Sequence, residues 1–328
     1  MLARNAHDVY WLGRHLVRAE HTARMLDGLF HADLEGRSDD PAMVTLTWDS
    51  LLTIMGSRAL TAVAHDGPAR RDDVIGSLTL DPENPVSIRA CVERAREGAR
   101  TVRDTISAEM WESVNTFNLG LQGTTQEAGL RTGPYSIYAY VKERTALFWG
   151  LTSRTMQKDE ARAFLVAGGR LEAADMVLRM LRVALPPVRD MEEGDDREVP
   201  RRDGNALALL RSVGGFQAFM RSAAAPPNAG PVTRFLLFDR DFPDSVAASV
   251  ESLHGALLRA DEDPRVSAPV LRMARISADL EFRAGANLSG AALAPAFREV
   301  QHELDAVDDE IDERYFAGQG MTRQREDG

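Results

Sequence analysis

Apolar residues recur at alternating spacings of three and four along most of this chain, and that period suits the α-helix. Val9, Leu12, Leu16, Ala19, Ala23, Leu26 and Phe30 form one such stripe, which predicts a first helix with a single buried face. Ile88, Val92, Ala95, Ala99, Val102 and Ile106 form a second, opened by the turn and start signals of Asp81-Pro82-Glu83-Asn84-Pro85. A third stretch follows Gly133-Pro134 with Val141, Phe148 and Leu151. A fourth starts near Asp159, carries Phe164, Leu171, Ala174, Leu178 and Leu181, and stops before Pro186-Pro187. Further helices are predicted over Ala206–Met220, about Ser245–Arg259 and Ser267–Phe282, and a last one holds Leu293, Phe297, Val300, Leu304, Val307 and Ile311 at heptad-like spacing. Gly214-Gly215 reads as a helix break, and Phe235-Leu236-Leu237-Phe238 as a short strand or a buried turn. Nowhere does a segment alternate as a half-buried strand must, so the expected fold class is all-α, a multi-helix bundle.

The segment from Arg189 to Gly204 has little to bury, which predicts an acidic exposed loop over 189–204. It would divide an N-terminal helical repeat region, 1–188, from a C-terminal helical region, 205–318, packed on the first as one compact unit. Residues 319–328 are expected to fray. No apolar run approaches the ~20 residues that span a bilayer, and the amino end lacks the apolar stretch and cleavage site of a secretion signal. A cytoplasmic location is therefore expected, and the lone Cys91 agrees with a reducing compartment. A net charge of −11 disfavours nucleic acid as a partner.

Internal similarity adds a second constraint. Ala19-Glu20-His21-Thr22-Ala23-Arg24-Met25-Leu26 aligns with Ala174-Asp175-Met176-Val177-Leu178-Arg179-Met180-Leu181, and Leu16 matches Leu171 one turn earlier. In both segments an acid precedes an arginine by four residues, so the two share a helix face.

The opening Met-Leu-Ala-Arg-Asn-Ala-His-Asp-Val-Tyr-Trp-Leu-Gly-Arg, with Arg18-Ala19-Glu20 after it, resembles the start of the bacterial alpha-E family, all-helical proteins with Glu-Arg motifs. So do the run from Asn84-Pro85-Val86-Ser87-Ile88-Arg89 through Arg96-Glu97 to Trp111-Glu112, Lys142-Glu143-Arg144, and Phe235-Leu236-Leu237-Phe238-Asp239 with Phe242-Pro243. The resemblance covers nearly the whole chain. It departs from the family's Leu-Glu-Arg-Ala-Glu at two places: Leu16-Val17-Arg18-Ala19-Glu20 lacks the first acid, and Leu171-Glu172-Ala173-Ala174-Asp175 lacks the arginine. Among these three segments Glu143-Arg144 keeps the adjacent pair, so a shared structural role for the pairs gains weight. The family's association with circularly permuted ATP-grasp and transglutaminase-like proteins implies peptide or amide-bond chemistry and partners of those kinds.

Arginine forks and carboxylates on neighbouring helices can bind an anionic group. The candidates for ligand binding are Arg14, Arg18, Arg24, Arg89, Arg96, Arg144, Glu172 and Asp175, with Glu97 and Arg103 beside them; Glu20 and Glu143 are the candidate catalytic acids. Set against this, Glu20–Arg24 and Asp175–Arg179 read as ordinary i,i+4 pairs that brace helices, the more common use of such spacing. Tyr10, Arg14 and Arg18 beside Trp11 suggest a solvated helix edge more than an aromatic, cationic ligand wall. His7, His15, His21 and His31 lack metal-ligand spacing, Cys91 reads as a buried thiol, and phosphate-loop, dinucleotide and nucleophile-elbow motifs are absent. No cofactor or metal is expected. The function expected is that of a helical accessory or substrate-presenting protein acting with an ATP-grasp peptide or amide ligase. The alternatives are a stand-alone enzyme using Glu/Arg pairs in a bundle pocket, and a homo-oligomeric scaffold joined through the Leu293–Ile311 stripe.

Overall fold

The computed structural model describes residues 1–35, 46–57, 69–123, 135–185, 198–222, 225–286 and 293–317. Among them are helices α1 (Ala3–Glu35), α2 (Trp48–Met55), α3 (Arg71–Thr79), α4 (Ile88–Thr101), α5 (Ala108–Gln122), α6 (Tyr135–Thr155) and α7 (Glu160–Ala184). They are followed by α8 (Glu198–Ser212), α9 (Phe216–Ser222), α10 (Ala229–Phe238), α11 (Val246–Ala260), α12 (Ala268–Gly285) and α13 (Ala294–Ile311), which ends in a π turn, Asp312–Phe316. No strand occurs among the described residues, and the all-α class follows directly from the helical period of the apolar positions.

The centre is the pair α1 and α7. α4, α6 and α8 pack on α1, α11 and α13 pack on α7, and α12 covers α11 and α13. The predicted stripe of α1 is buried from Val9 through Leu26, with Phe30 partly buried at its end. α7 has no solvated stripe from Leu171 to Leu178, where every residue is buried. Such a helix lies inside a bundle rather than on it. The two backbones touch at Gly13 and Gly168: a Cβ on Gly168 would fall 2.0 Å from the Tyr10 carbonyl oxygen, and one on Gly13 2.2 Å from that of Leu165.

Helix starts follow the chain's own cap chemistry. Ser87 accepts the Ala90 amide at 3.1 Å, Ser107 that of Met110 at 3.2 Å, Ser245 that of Ala248 at 3.0 Å, and Asp159 that of Arg162 at 3.0 Å. Asp81–Ser87 and Asp239–Ser245 build the same turn. In each, the aspartate accepts the amide two residues on, and the capping serine donates to the aspartate's own carbonyl.

Three expectations need correction. Phe235–Phe238 is neither strand nor turn but the end of α10, with Phe235, Leu236 and Leu237 buried. The segment expected as a loop over 189–204 is helical from Glu198 onward. Pro200 sits in the first turn of α8, where its missing amide hydrogen costs nothing, and the buried Ala206, Leu209 and Leu210 anchor the rest; residues 189–197 lie outside the described residues, as does the tail from 318. The heptad-like stripe Leu293–Ile311 is not a partner face, because Phe297, Val300, Leu304, Val307 and Ile311 are buried within this chain at 3% exposure or less.

Candidate functional site

The Arg/Glu residues singled out from the sequence separate into a buried network and a scatter of contacts nearer the surface. In the network, α1 presents Tyr10, Arg14 and Arg18 on one face. α7 presents Glu172, and α13 presents Asp308. Arg18 holds Glu172 bidentately, Nε at 2.6 Å and Nη2 at 3.1 Å. Arg14 donates from Nε to the same carboxylate at 3.0 Å and from Nη1 to Asp308 at 2.6 Å, and the Tyr10 hydroxyl donates to Asp308 at 2.7 Å. Arg14 also stacks 4.6 Å from the Trp11 ring. Glu172 is 1% exposed and Arg14 7%, so this face is neither the solvated edge expected nor a wall open to a ligand.

The two departures from the Leu-Glu-Arg-Ala-Glu pattern meet here. The segment that lacks an acid supplies Arg18, the segment that lacks an arginine supplies Glu172, and the pair forms across the α1–α7 contact. Burial by itself would push the Glu172 carboxyl up, but Arg18 and Arg14 outweigh it and hold the group well below the usual carboxylate range. Burial would likewise lower Arg14, and the Asp308 and Glu172 carboxylates reverse that shift. A neighbouring layer uses Asp175, which accepts from Gln301 of α13 at 2.6 Å and from Arg179 at 2.8 Å.

The other candidates are dispersed. Glu20 pairs with Arg24 at 2.8 Å. Arg96 donates to Asn115 at 2.9 Å and lies over Trp111, as does Arg103. Arg144 donates to the Ser113 carbonyl at 3.1 Å, whereas its neighbour Glu143 is exposed. Arg89 is half-buried on α4, apart from the network. Glu97 bridges Arg96 and Arg100 on the surface. Cys91 is fully buried, as expected. Among the described residues no group of His, Cys, Asp and Glu has the geometry to hold a metal ion.

His15 borders the network one turn from Trp11, and its Nδ1 has no hydrogen-bond partner among the described residues. Burial, then Arg18 and Arg94, push its imidazole well below the usual histidine range, so the folded protein holds it neutral. The unfolded chain takes up that proton below about pH 6.5 and the folded chain does not, so stability must fall as pH drops through that region, by up to about 1.4 kcal/mol per unit. In thermal unfolding between pH 8 and 5, His15→Leu should show a flatter decline than wild type from pH 6.5 downward; parallel curves would contradict the assignment.

A cleft of about 510 Å³ opens between α1, α6, α7 and α11. Glu20 and His21 reach it from α1 and Trp149 from α6, while Lys158, Arg162 and Arg259 bring positive charge. Of these, only Glu20 stood among the candidate site residues. The cations were missed because Lys158 and Arg162 lie at one helix start without a distinguishing motif, and Arg259 joins them only when α7 and α11 pack together.

Comparison with known proteins gives a family and no solved structure. Residues 1–316 match the model of Alpha-E, described as a predicted alpha-helical domain with a conserved ER motif. The chain is 24% identical over 266 residues to the uncharacterized protein Mb2597 of Mycobacterium bovis, and equally to the uncharacterized proteins MT2643 and Rv2567 of Mycobacterium tuberculosis. These matches cover 76% of this chain but 29% of each relative, so the chain spans under a third of the length of the curated relatives it matches. No solved structure matches. With its all-helical architecture and a family match running almost from end to end, this chain belongs to the Alpha-E family.

Proposed function

We propose that the protein is a helical accessory or substrate-presenting protein that acts with an ATP-grasp peptide or amide ligase, with a transglutaminase-like protein as a further partner. One observation carries this reading: the Glu-Arg groups are committed to holding the bundle together. Glu172 is sealed between two arginines at 1% exposure, whereas a general acid or base must reach the proton it moves. Glu143 sits on an exposed helix face. The matched stretch is also a minor part of much longer relatives, which supports work beside another unit. A stand-alone enzyme is the second reading, favoured by the placement of Glu20 and His21 together at the cleft.

The test is a pull-down from cells that make the protein, followed by an ATP-consumption assay of any ATP-grasp ligase recovered. The accessory reading expects a ligase whose ATP turnover changes when this protein is added, and expects Glu143→Gln and Glu20→Gln to keep that change within about twofold, since neither variant disturbs a buried group. No ligase, and no effect on one supplied, would count against it. Loss of the effect in a folded Glu20→Gln would instead favour an active site of its own.

A further inference from the structure

We propose that the cleft between α1, α6, α7 and α11 is a binding site for a ligand carrying closely spaced oxyanions, either carboxylates or phosphates. Its charges are unequally committed. The three acids at its edge already have partners: Glu20 is held by Arg24 at 2.8 Å, Asp159 caps α7 by accepting the Arg162 amide at 3.0 Å, and Asp244 faces Arg170 at 3.5 Å. The cations are less satisfied. Arg162 directs its guanidinium at the Met156 carbonyl, 3.3 Å away, rather than at a carboxylate. Lys158 and Arg259 have no carboxylate partner among the described residues.

His21 gives the second, independent sign. It is 3% exposed, forms part of the cleft wall, and leaves its Nδ1 with no hydrogen-bond partner among the described residues. Buried polar atoms without partners are uncommon in folded proteins, and each calls for a group to satisfy it. A small rotation of the His21 ring would turn that nitrogen into the cleft, where an oxyanion held bidentately by the arginine forks would accept from it. One negative charge would leave two of the three uncommitted cations unpaired, so the ligand carries more than one. Trp149 and Val17 add apolar wall beside the charged end, and the space of about 510 Å³ suits a small molecule or a short peptide segment. Such a ligand would suit the accessory reading, but the site does not depend on it, because direct binding needs no ligase.

Isothermal titration of the full chain at low salt, with a tri-glutamate peptide in one arm and inorganic pyrophosphate in the other, tests this. At least one probe should bind, and Arg162→Gln and Arg259→Gln should each weaken it about tenfold, the loss expected for one charge-assisted contact. His21→Gln should weaken it severalfold. Arg154→Gln, an exposed arginine on α6 outside the cleft, should change nothing. Both arginine substitutions alter side chains on the protein's surface or partly exposed to it, so circular dichroism should remain that of wild type. Binding of the peptide alone identifies carboxylates, and binding of pyrophosphate alone identifies phosphates. No heat from either probe at millimolar concentration, or binding indifferent to both arginine substitutions, would overturn the proposal.

Discussion

Replacing Glu172 with glutamine should lower folding stability by about 3 kcal/mol or more, the usual consequence of removing one partner from a buried ion pair. Glutamine keeps the volume, so no cavity contributes. What changes is that Arg18 loses the Glu172 carboxylate, Arg14 loses one of its two, and Asp308 still holds Arg14. Both guanidinium side chains are about a tenth exposed, too little for water to replace the lost charge. Urea unfolding at pH 7 reads the difference directly. The partly buried Glu20–Arg24 pair offers the contrast: Glu20→Gln breaks a single i,i+4 contact and should cost about 1 kcal/mol.

Gly168→Ala should also be strongly destabilising, although alanine is the better helix former by about 1 kcal/mol. The new Cβ would meet Tyr10 backbone at 2.0 Å from its oxygen and 2.8 Å from its carbonyl carbon. Backbone cannot rotate aside as a flexible side chain can, so α1 and α7 must separate, and with them the Arg14, Arg18 and Glu172 contacts that cross this interface. Overpacking of this kind costs about 1–3 kcal/mol, and loosened ion pairs add to it. A net loss of about 2 kcal/mol or more is expected in the same urea assay. A variant as stable as wild type would mean that the two helices do not meet as closely as described.

Much of the fold was legible because the helical period survives in the long elements. The stripes on α1, α4, α7 and α13 were readable residue by residue, and Gly214, at φ 70°, breaks the chain between α8 and α9 as Gly214-Gly215 predicts. α2 and α3 are eight and nine residues long, too short for a period to stand out. α5 was overlooked despite Met110, Val114, Phe117 and Leu121 at the required spacing. The turn shared by Asp81–Ser87 and Asp239–Ser245 was also available as a recurring Asp and Ser six positions apart. Phe235–Phe238 misled because a continuous apolar run suits a strand as well as a buried helix end.

The site was legible only in part, and for a different reason. Periodicity tells which face a residue occupies on its own helix, so Arg14, Arg18, Glu172 and Asp175 could be chosen one at a time. It does not tell which helices become neighbours. The pairing of Arg18 with Glu172 spans 154 residues and that of Arg14 with Asp308 spans 294, and the first crosses the α1–α7 contact where Gly13 and Gly168 let the backbones meet. Asp308 and Gln301 carried no signal that distinguished them from the other polar positions of α13. The cleft's cations were hidden in the same way.

The central claim is that the Glu-Arg residues form the frame of the bundle and leave recognition to the cleft. A double-mutant cycle tests it most directly: urea unfolding of wild type, Glu172→Leu, Arg18→Met and the pair combined. If the pair is structural, each single variant loses about 3 kcal/mol while the double variant, with no unpaired charge between these positions, recovers much of that loss. A Glu172→Leu protein as stable as wild type, or more stable, would contradict the claim, because stabilisation on removal is what a residue kept for activity at the expense of stability shows.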